Sequence, residues 1–459
     1  MSIFSSLYSL VAFIVAIGVL VTIHEFGHFW VARKMGVKVL RFSVGFGKPI
    51  WSRMGSDGET EYAIGSIPLG GYVKMLDERE GKVESHELDR AFNRKRVGQR
   101  FAIVFAGPLF NFLFAIVAYS LIYMAGVSGY KPIVGEVAEG SIAAQNGVEY
   151  RDVILAVNSI ETPSWETVRF TLLEESIGQE TIELRLQKLD GIVETVLLQI
   201  GDLGLLKKEK MNPVADLGLS VWRPEMPPII DSVIEGGAAE NAGIMPDDLI
   251  LNINGQKISN LLDWVTVIRS NPGHLLKLEV ARDGRVVELD LIPGTKSEND
   301  ETFGFVGVMN RIEISPEISK EIRVVEQYNP ILALVKAIDR TWRMSLVTLK
   351  VMGKLVVGEA NLKNLSGPIT IAKYAGITAQ IGLEEFLGFL AIISISLGVL
   401  NLLPVPMLDG GHLFYYLIEI VKGSPVSETI ELVGQKIGIV LLFGLMSLAM
   451  YNDLLRLVN

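Results

Sequence analysis

His24 and His28 stand four residues apart with Glu25 beside the first, in the stretch VLVTIHEFGHFWVA from Val19 to Ala32. On a helix that spacing sends both imidazoles out of one face, one turn apart. There they can close on one Zn²⁺ ion, with Glu25 placed to move protons next to it. A pattern this short also arises by chance, so its surroundings decide its weight. Between Leu7 and Ala32, Glu25 is the only charged residue of an apolar run. Ionisable groups at membrane depth are costly to keep and point to function.

Two histidines are not a zinc site, since a catalytic zinc takes three protein ligands and leaves a fourth position for water. The chain has no cysteine, so thiolate sites and a disulfide framework are excluded. The extended H-E-x-x-H-x-x-G-x-x-H form is excluded too, because Phe29 to Lys34 supply neither the glycine nor the histidine. The remaining candidates are Asp409, His412, Asn401, His86 and His274. His86 lies in a charged loop and His274 follows a Pro-Gly turn, so both read as bystanders. Asp409 is preferred to His412, which stays open. A lone aspartate beside a membrane span needs a compensating cation, whereas a histidine can remain neutral. Asp409 closes the motif Asn401-Leu-Leu-Pro404-Val-Pro406-Met-Leu-Asp409-Gly-Gly-His412. Its prolines remove donors and free carbonyls, so this backbone must face protein, metal or water and not lipid.

The elements that would position these groups follow from hydropathy. The 459 residues are 49% apolar, too oily for a wholly soluble chain and long enough for several domains. A net charge of −10 argues against a nucleic-acid partner. Leu7 to Ala32, Phe101 to Val127, Phe386 to Leu403 and Ile437 to Tyr451 are apolar enough to cross a bilayer, the last two near the lower length limit. The first lacks a basic leader and a cleavage site and reads as a retained span. Arg33, Lys34, Lys38 and Arg41 follow it, and Arg94, Lys95, Arg96 and Arg100 precede the second. The loop between them is therefore expected in the cytoplasm, with both termini and the central region outside. Within that loop Glu61 to Met75, EYAIGSIPLGGYVKM, predicts a β-hairpin that can offer a sheet edge. Gly70 and Gly71 before Tyr72 would allow close backbone approach.

The centre holds an internal repeat: GSIAAQNGVEYRDVILAVNSIET from Gly140 and GGAAENAGIMPDDLILNINGQKIS from Gly236. Each is followed by a helical stretch with a tryptophan, Trp165 or Trp264, and then by alternating strands. Both resemble PDZ domains, circularly permuted because the Leu217-Gly218-Leu219 and Gly304-Phe305-Val306 segments come last. PDZ domains bind extended peptides at a sheet edge, and a role as spacer or steric gate is the alternative. Pro330 to Val357, apolar but carrying Lys336, Arg340, Arg343, Lys350 and Lys354, predicts a basic amphipathic helix on the outer membrane face. A soluble helix packed on the second repeat is the other option. The division expected is 1–127 for the first two spans and the hairpin loop, 128–221 and 222–312 for the repeats, 313–380 for the amphipathic region and 381–459 for the last two spans.

With His24-Glu25-Phe-Gly-His28 in a first span, Gly107-Pro108-Leu-Phe-Asn111 in a second, two permuted PDZ-like repeats and a terminal Leu-Asp-Gly motif, the whole chain resembles the site-2 protease family of intramembrane zinc metalloproteases. The likeness is strongest to its envelope-stress branch with tandem PDZ domains. The resemblance implies a polytopic α-helical membrane protein with four transmembrane helices, two outward-facing α+β PDZ domains and a small membrane-associated β-hairpin, in the bacterial inner membrane. It implies one Zn²⁺ held by His24, His28 and Asp409, with Glu25 as catalytic acid and base. It further implies substrate contacts by Asn401, the Pro404 and Pro406 segment, and the Gly70, Gly71 and Tyr72 edge. Asn111 and the Gly107-Pro108 kink are read first as packing near the site and second as a direct substrate contact. The implied substrates are single-span membrane proteins already shortened by another protease, such as an anti-sigma factor, cut in regulated intramembrane proteolysis. A zinc-bearing scaffold without activity and an ion transporter using Asp409 are the rival readings.

Overall fold

The computed structural model describes residues 3–201, 204–208, 211–224, 226–298, 301–311 and 316–458. The expected boundary at 312/313 falls outside them. Among the described residues, four helices are long and apolar enough to cross a membrane: α1 (Ile3–Lys34), α2 (Val97–Ala125), α11 (Leu383–Leu402) and α13 (Glu428–Val458). The chain is thus a polytopic helical membrane protein. α13 runs well beyond the expected Ile437 to Tyr451, because Glu428, Glu431 and Lys436 continue the helix past its apolar stretch.

β1 (Val39–Met54) and β2 (Glu61–Met75) join α1 to α2. The turn expected inside Glu61–Met75 does not bring the two halves of that segment together. Residues 41–44 pair with 61–64 on one side and with 71–74 on the other, while 51–54 pair back onto 61–64. The inner end of this sheet packs on α1, where Val37 and Val39 are buried with Phe29, Ala32 and Ile103.

The repeats form two α+β modules. The first contains β3 (Val127–Tyr130), β4 (Val134–Val137), α3 (Ile142–Gln145), β5 (Val153–Val157), β6 (Ile160–Glu161), α4 (Trp165–Ser176), β7 (Thr181–Gln187), β8 (Val193–Gln199), α5 (Pro213–Asp216) and β9 (Leu219–Val221). The second contains β10 (Ile230–Val233), α6 (Ala238–Asn241), β11 (Leu249–Ile253), β12 (Gln256–Lys257), α7 (Leu261–Ser270), β13 (Leu276–Arg282), β14 (Arg285–Leu291), β15 (Gly294–Glu298), β16 (Glu301–Phe305) and β17 (Val308–Asn310). Their sheets run in the same order, β6-β5-β7-β8 and β12-β11-β13-β14, and in each the final strand returns to pair with the strand that precedes the first short helix, β9 on β4 and β17 on β10.

The repeated residues have matching duties. Asp152 and Asp248 are buried, each accepts a loop amide, from Glu149 and Met245 at 2.8 Å, and each pairs with a cation, Lys188 at 3.0 Å and Arg282 at 2.7 Å. A buried carboxylate is tolerated because these partners replace its water. Asn158 and Asn254 take the left-handed conformation that a tight hairpin turn requires, at φ 52° and 50°, and each side-chain oxygen accepts an amide of the neighbouring strand. Trp165 and Trp264 fill the two cores.

After α8 (Pro316–Ile322), β18 (Arg323–Glu326) pairs with β3, so the point where the chain leaves α2 is tied to the point where it returns. α9 (Pro330–Val356) follows. Its Ala337 is buried among Ala115, Ala118 and Tyr119 of α2 and Ala391 of α11, and its Arg343 pairs with Glu174 of α4. Its principal soluble partner is therefore the first module, not the second. Ile331, Leu334, Val335, Ile338 and Trp342 remain exposed along it.

α10 (Pro368–Ile381) precedes α11. Its first turn has orphan amides, as any helix start does, and they are met from a distant helix. The buried Asp453 of α13 accepts from Gly367, Ile369 and Thr370 amides at 3.0, 2.8 and 3.0 Å and from the Thr370 hydroxyl. Asp453→Ala is expected to lose about 2 kcal/mol at this junction, from the removed cap and charge-assisted bonds. Hydrogen exchange should quicken at the 367–371 amides while those of α2 keep their protection.

Candidate metal centre and catalytic site

The site begins where α1 and α2 cross. A Cβ on Gly27 would lie 2.3 Å from the Ala106 carbonyl oxygen, and one on Gly107 would lie 2.3 Å from His28 Nε2 and 2.8 Å from His24 Cε1. Only hydrogen fits at either position, so the two helices approach to backbone contact and the space beside Gly107 goes to the imidazoles. His28 Nδ1 donates to the Ile103 carbonyl at 2.9 Å. That bond fixes its tautomer and leaves Nε2 with a free lone pair.

The third donor comes from the other end of the chain. α11 stops at Leu402, the prolines interrupt the helical ladder, and α12 (Asp409–Lys422) starts at Asp409. Met407, in the connection, holds the left-handed φ of 86°. Asp409 Oδ2 sits 3.1 Å from His24 Nε2 and 3.5 Å from His28 Nε2, and the two ring nitrogens are 3.2 Å apart. Three donors around a tetrahedral zinc with bonds of roughly 2.0–2.1 Å are separated by roughly 3.3 Å. Asp409 Oδ2 is also buried without a hydrogen bond of acceptable geometry. A buried oxygen of this kind aimed at two imidazole lone pairs fits a shared cation. Among the described residues these three form a group of donors close enough to hold a metal. His412, by contrast, is exposed.

Glu25 is half-buried next to His24, and the outer arm of β2 runs beside it. A Cβ on Gly71 would meet Val21 Cγ1 at 2.7 Å and Glu25 Cγ at 3.2 Å. Gly70 precedes it with φ 99°. Tyr72 stacks on Phe46, and its hydroxyl accepts from the Arg41 guanidinium at 3.1 Å. Asn401 lies half-buried in the last turn of α11, with Pro404 exposed and Pro406 half-buried after it. Pro406 is gripped from behind, since a Cβ on Gly438 of α13 would fall 2.1 Å from its carbonyl oxygen.

Asn111 is fully buried, with its amide 3.2 Å from His24 Nδ1. Its sequence signal, a lone polar residue four positions after Gly107 in an apolar helix, does not reveal which group it meets. A cavity of about 1070 Å³ between the first module and α9 contains none of these residues.

Residues 12–445 match the model of peptidase family M50. The chain belongs to this family, the site-2 proteases. It is 46% identical to the regulator of sigma-E protease RseP of Escherichia coli over 99% of this chain and all of that one. It is 44% identical to the protease RseP of Yersinia pestis, again over 99% of this chain and all of that one. It is also 43% identical to a putative zinc metalloprotease of Vibrio cholerae, over 98% and 99% of the two chains. As an M50 member it is a transmembrane metalloprotease, and His24, His28 and Asp409 form a group of donors that could hold its metal. Adding one carbon at Gly107 should therefore be disabling. Gly107→Ala is expected to reduce zinc retention by at least about tenfold, measured by metal analysis after dialysis against a chelator. Gly98→Ala, with nothing within 4 Å of the new atom, should leave retention unchanged.

Proposed function

We propose that the chain is an intramembrane zinc endopeptidase with one Zn²⁺ ligated by His24, His28 and Asp409 and with Glu25 as acid and base. The observation that carries the reading is the near-equilateral triangle of donor atoms, with edges of 3.1, 3.2 and 3.5 Å, beside a glutamate. A zinc ion in that position supplies Lewis acidity toward the peptide carbonyl and makes water acidic enough to ionise near pH 7. Glu25 takes the proton from the attacking water and returns it to the leaving amine. A carboxylate can serve both steps because it is held in place and needs no covalent intermediate.

A transmembrane helix resists this attack, because each carbonyl is engaged four residues away. The substrate must be drawn out, and the edge of β2 at Gly70, Gly71 and Tyr72 offers the backbone pairing that keeps a strand extended beside Glu25. Asn401 supplies an amide for the opposite side of that strand, and the Pro404 and Pro406 loop keeps its own backbone irregular around it. Small or helix-breaking residues in the substrate lower the cost of unwinding.

We place the β1 and β2 loop in the cytoplasm and both termini and the two modules in the periplasm of a bacterial inner membrane. The basic residues flanking the loop support this. The modules are read as PDZ domains that bind exposed substrate ends or exclude bulky ones. In that arrangement the enzyme acts on single-span proteins already trimmed outside the membrane, including an anti-sigma factor, in envelope-stress signalling.

Zinc content and cleavage of a single-span substrate separate the roles. Glu25→Gln is expected to keep one zinc per chain while cleavage falls by at least about 10²–10⁴-fold. Asp409→Asn should lose zinc and cleavage together. Undiminished cleavage by Glu25→Gln would overturn the mechanism.

A further inference from the structure

We infer that Asn111 is a positioning residue of the metal centre: its side-chain oxygen accepts from His24 Nδ1–H and so presents the bare Nε2 of His24 to the metal. This rests on the reading of His24 as a zinc ligand.

The two histidines face the same requirement. Each can ligate through Nε2 only if Nδ1 carries the proton, and a buried N–H needs an acceptor. His28 has the Ile103 carbonyl. For His24 the group within reach of Nδ1 is the Asn111 amide, 3.2 Å away. An amide turned by 180° about its last bond presents oxygen where nitrogen stood, and its orientation follows from the bonds it can make. With nitrogen toward the ring, Nδ1 would have to be bare and Nε2 protonated, which closes His24 to a metal. With oxygen toward the ring, Nδ1–H is satisfied and Nε2 is open. As placed, Nδ2 faces the ring and Oδ1 has no partner; the turn gives Oδ1 the His24 Nδ1–H and puts Nδ2 in the position that Oδ1 leaves.

The residue is also held in place. It is 0% exposed, and its backbone carbonyl accepts from the Ser394 hydroxyl of α11 at 2.9 Å. It lies one helical turn from Gly107, the residue that leaves room for the rings. One face of α2 therefore supplies both the space for the imidazoles and an acceptor for each, Ile103 for one and Asn111 for the other.

The test compares Asn111→Leu, which removes the acceptor, with Asn111→Asp, which keeps one, using the full-length protein in detergent and chelator competition with zinc alone. Asn111→Leu is expected to weaken zinc binding 10- to 100-fold, and Asn111→Asp to return it to within about threefold of the unmodified protein. Thermal stability with the metal stripped should be similar in all three, while the gain on adding zinc should shrink in the leucine variant alone. Zinc affinity unchanged in Asn111→Leu, or lowered equally in both variants, would overturn the inference. If neither variant folds, the ¹⁵N shifts of labelled histidine in the unmodified zinc-loaded protein decide. A protonated Nδ1 on His24 supports the proposal and a bare one rejects it. Failure of the underlying reading looks different, since the unmodified protein would then bind no zinc at this site.

Discussion

The structure depends on the backbone contact between α1 and α2. Gly27 against Ala106 and Gly107 against the imidazoles leave no room for a methyl group at the crossing, and the depth of that approach sets where His24 and His28 stand. Without water to compensate, close packing of small residues is what holds helices together in lipid. Here the same packing delivers two nitrogens to one point. Asp409 must then arrive from a separate helix, which requires a break: a continuous α11 would carry the chain past the centre. Pro404 and Pro406 end it, and Gly438 of α13 closes on the Pro406 carbonyl.

Irregular backbone at this depth survives only where protein or an aqueous cavity replaces water. The connection from Leu403 to Leu408 meets that condition through α13 behind it and the donor cluster in front. The outer arm of β2 presents a different solution. It pairs along one side with residues 41–44 and lies along α1 by Gly71, so its backbone runs beside Glu25 without entering a helix. In the proposed reaction this juxtaposition matters more than any pocket, because the substrate is a strand and needs an edge.

Local periodicity made the first half of the candidate site legible. The spacing of His24 and His28 is a property of one helix and needs no knowledge of the fold. Asp409 was legible through chemistry, as an aspartate without a cation beside prolines that cannot face lipid. The repeats were legible because Asp152 and Asp248, Asn158 and Asn254, and Trp165 and Trp264 recur with the same local jobs. Long-range pairing was not. Nothing in Glu61–Met75 announces that residues 41–44 insert between its halves, because a strand's alternation specifies faces and not neighbours. The Asp453 cap of α10 and the Asn111 contact to His24 escaped for a related reason. Each is a polar residue in an apolar helix, and the sequence shows the anomaly without the partner. The length of α13 was underestimated because charged residues end an apolar run without ending a helix.

The same distinction bears on how the modules relate to the spans. β3 and β18 close the base of the module pair into one short ladder between α2 and α9. Arg343 adds a second tie. Its guanidinium and the Glu174 carboxylate are largely shielded, with side chains 14% and 8% exposed, and Arg343 also reaches the Thr171 hydroxyl at 3.1 Å. Separating such a pair leaves each charge poorly solvated, which makes the contact hard to open by small increments. Since Ala337 of the same helix is buried between α2 and α11, the first module is clamped to helices that frame the donor cluster. In the proposed function, a module fixed in this way and serving to exclude bulky ends would select by what fits between it and the membrane spans. Under that one of the two proposed roles, selectivity would follow from the size of whatever remains attached to the substrate, whereas binding of exposed substrate ends would add recognition at the module itself.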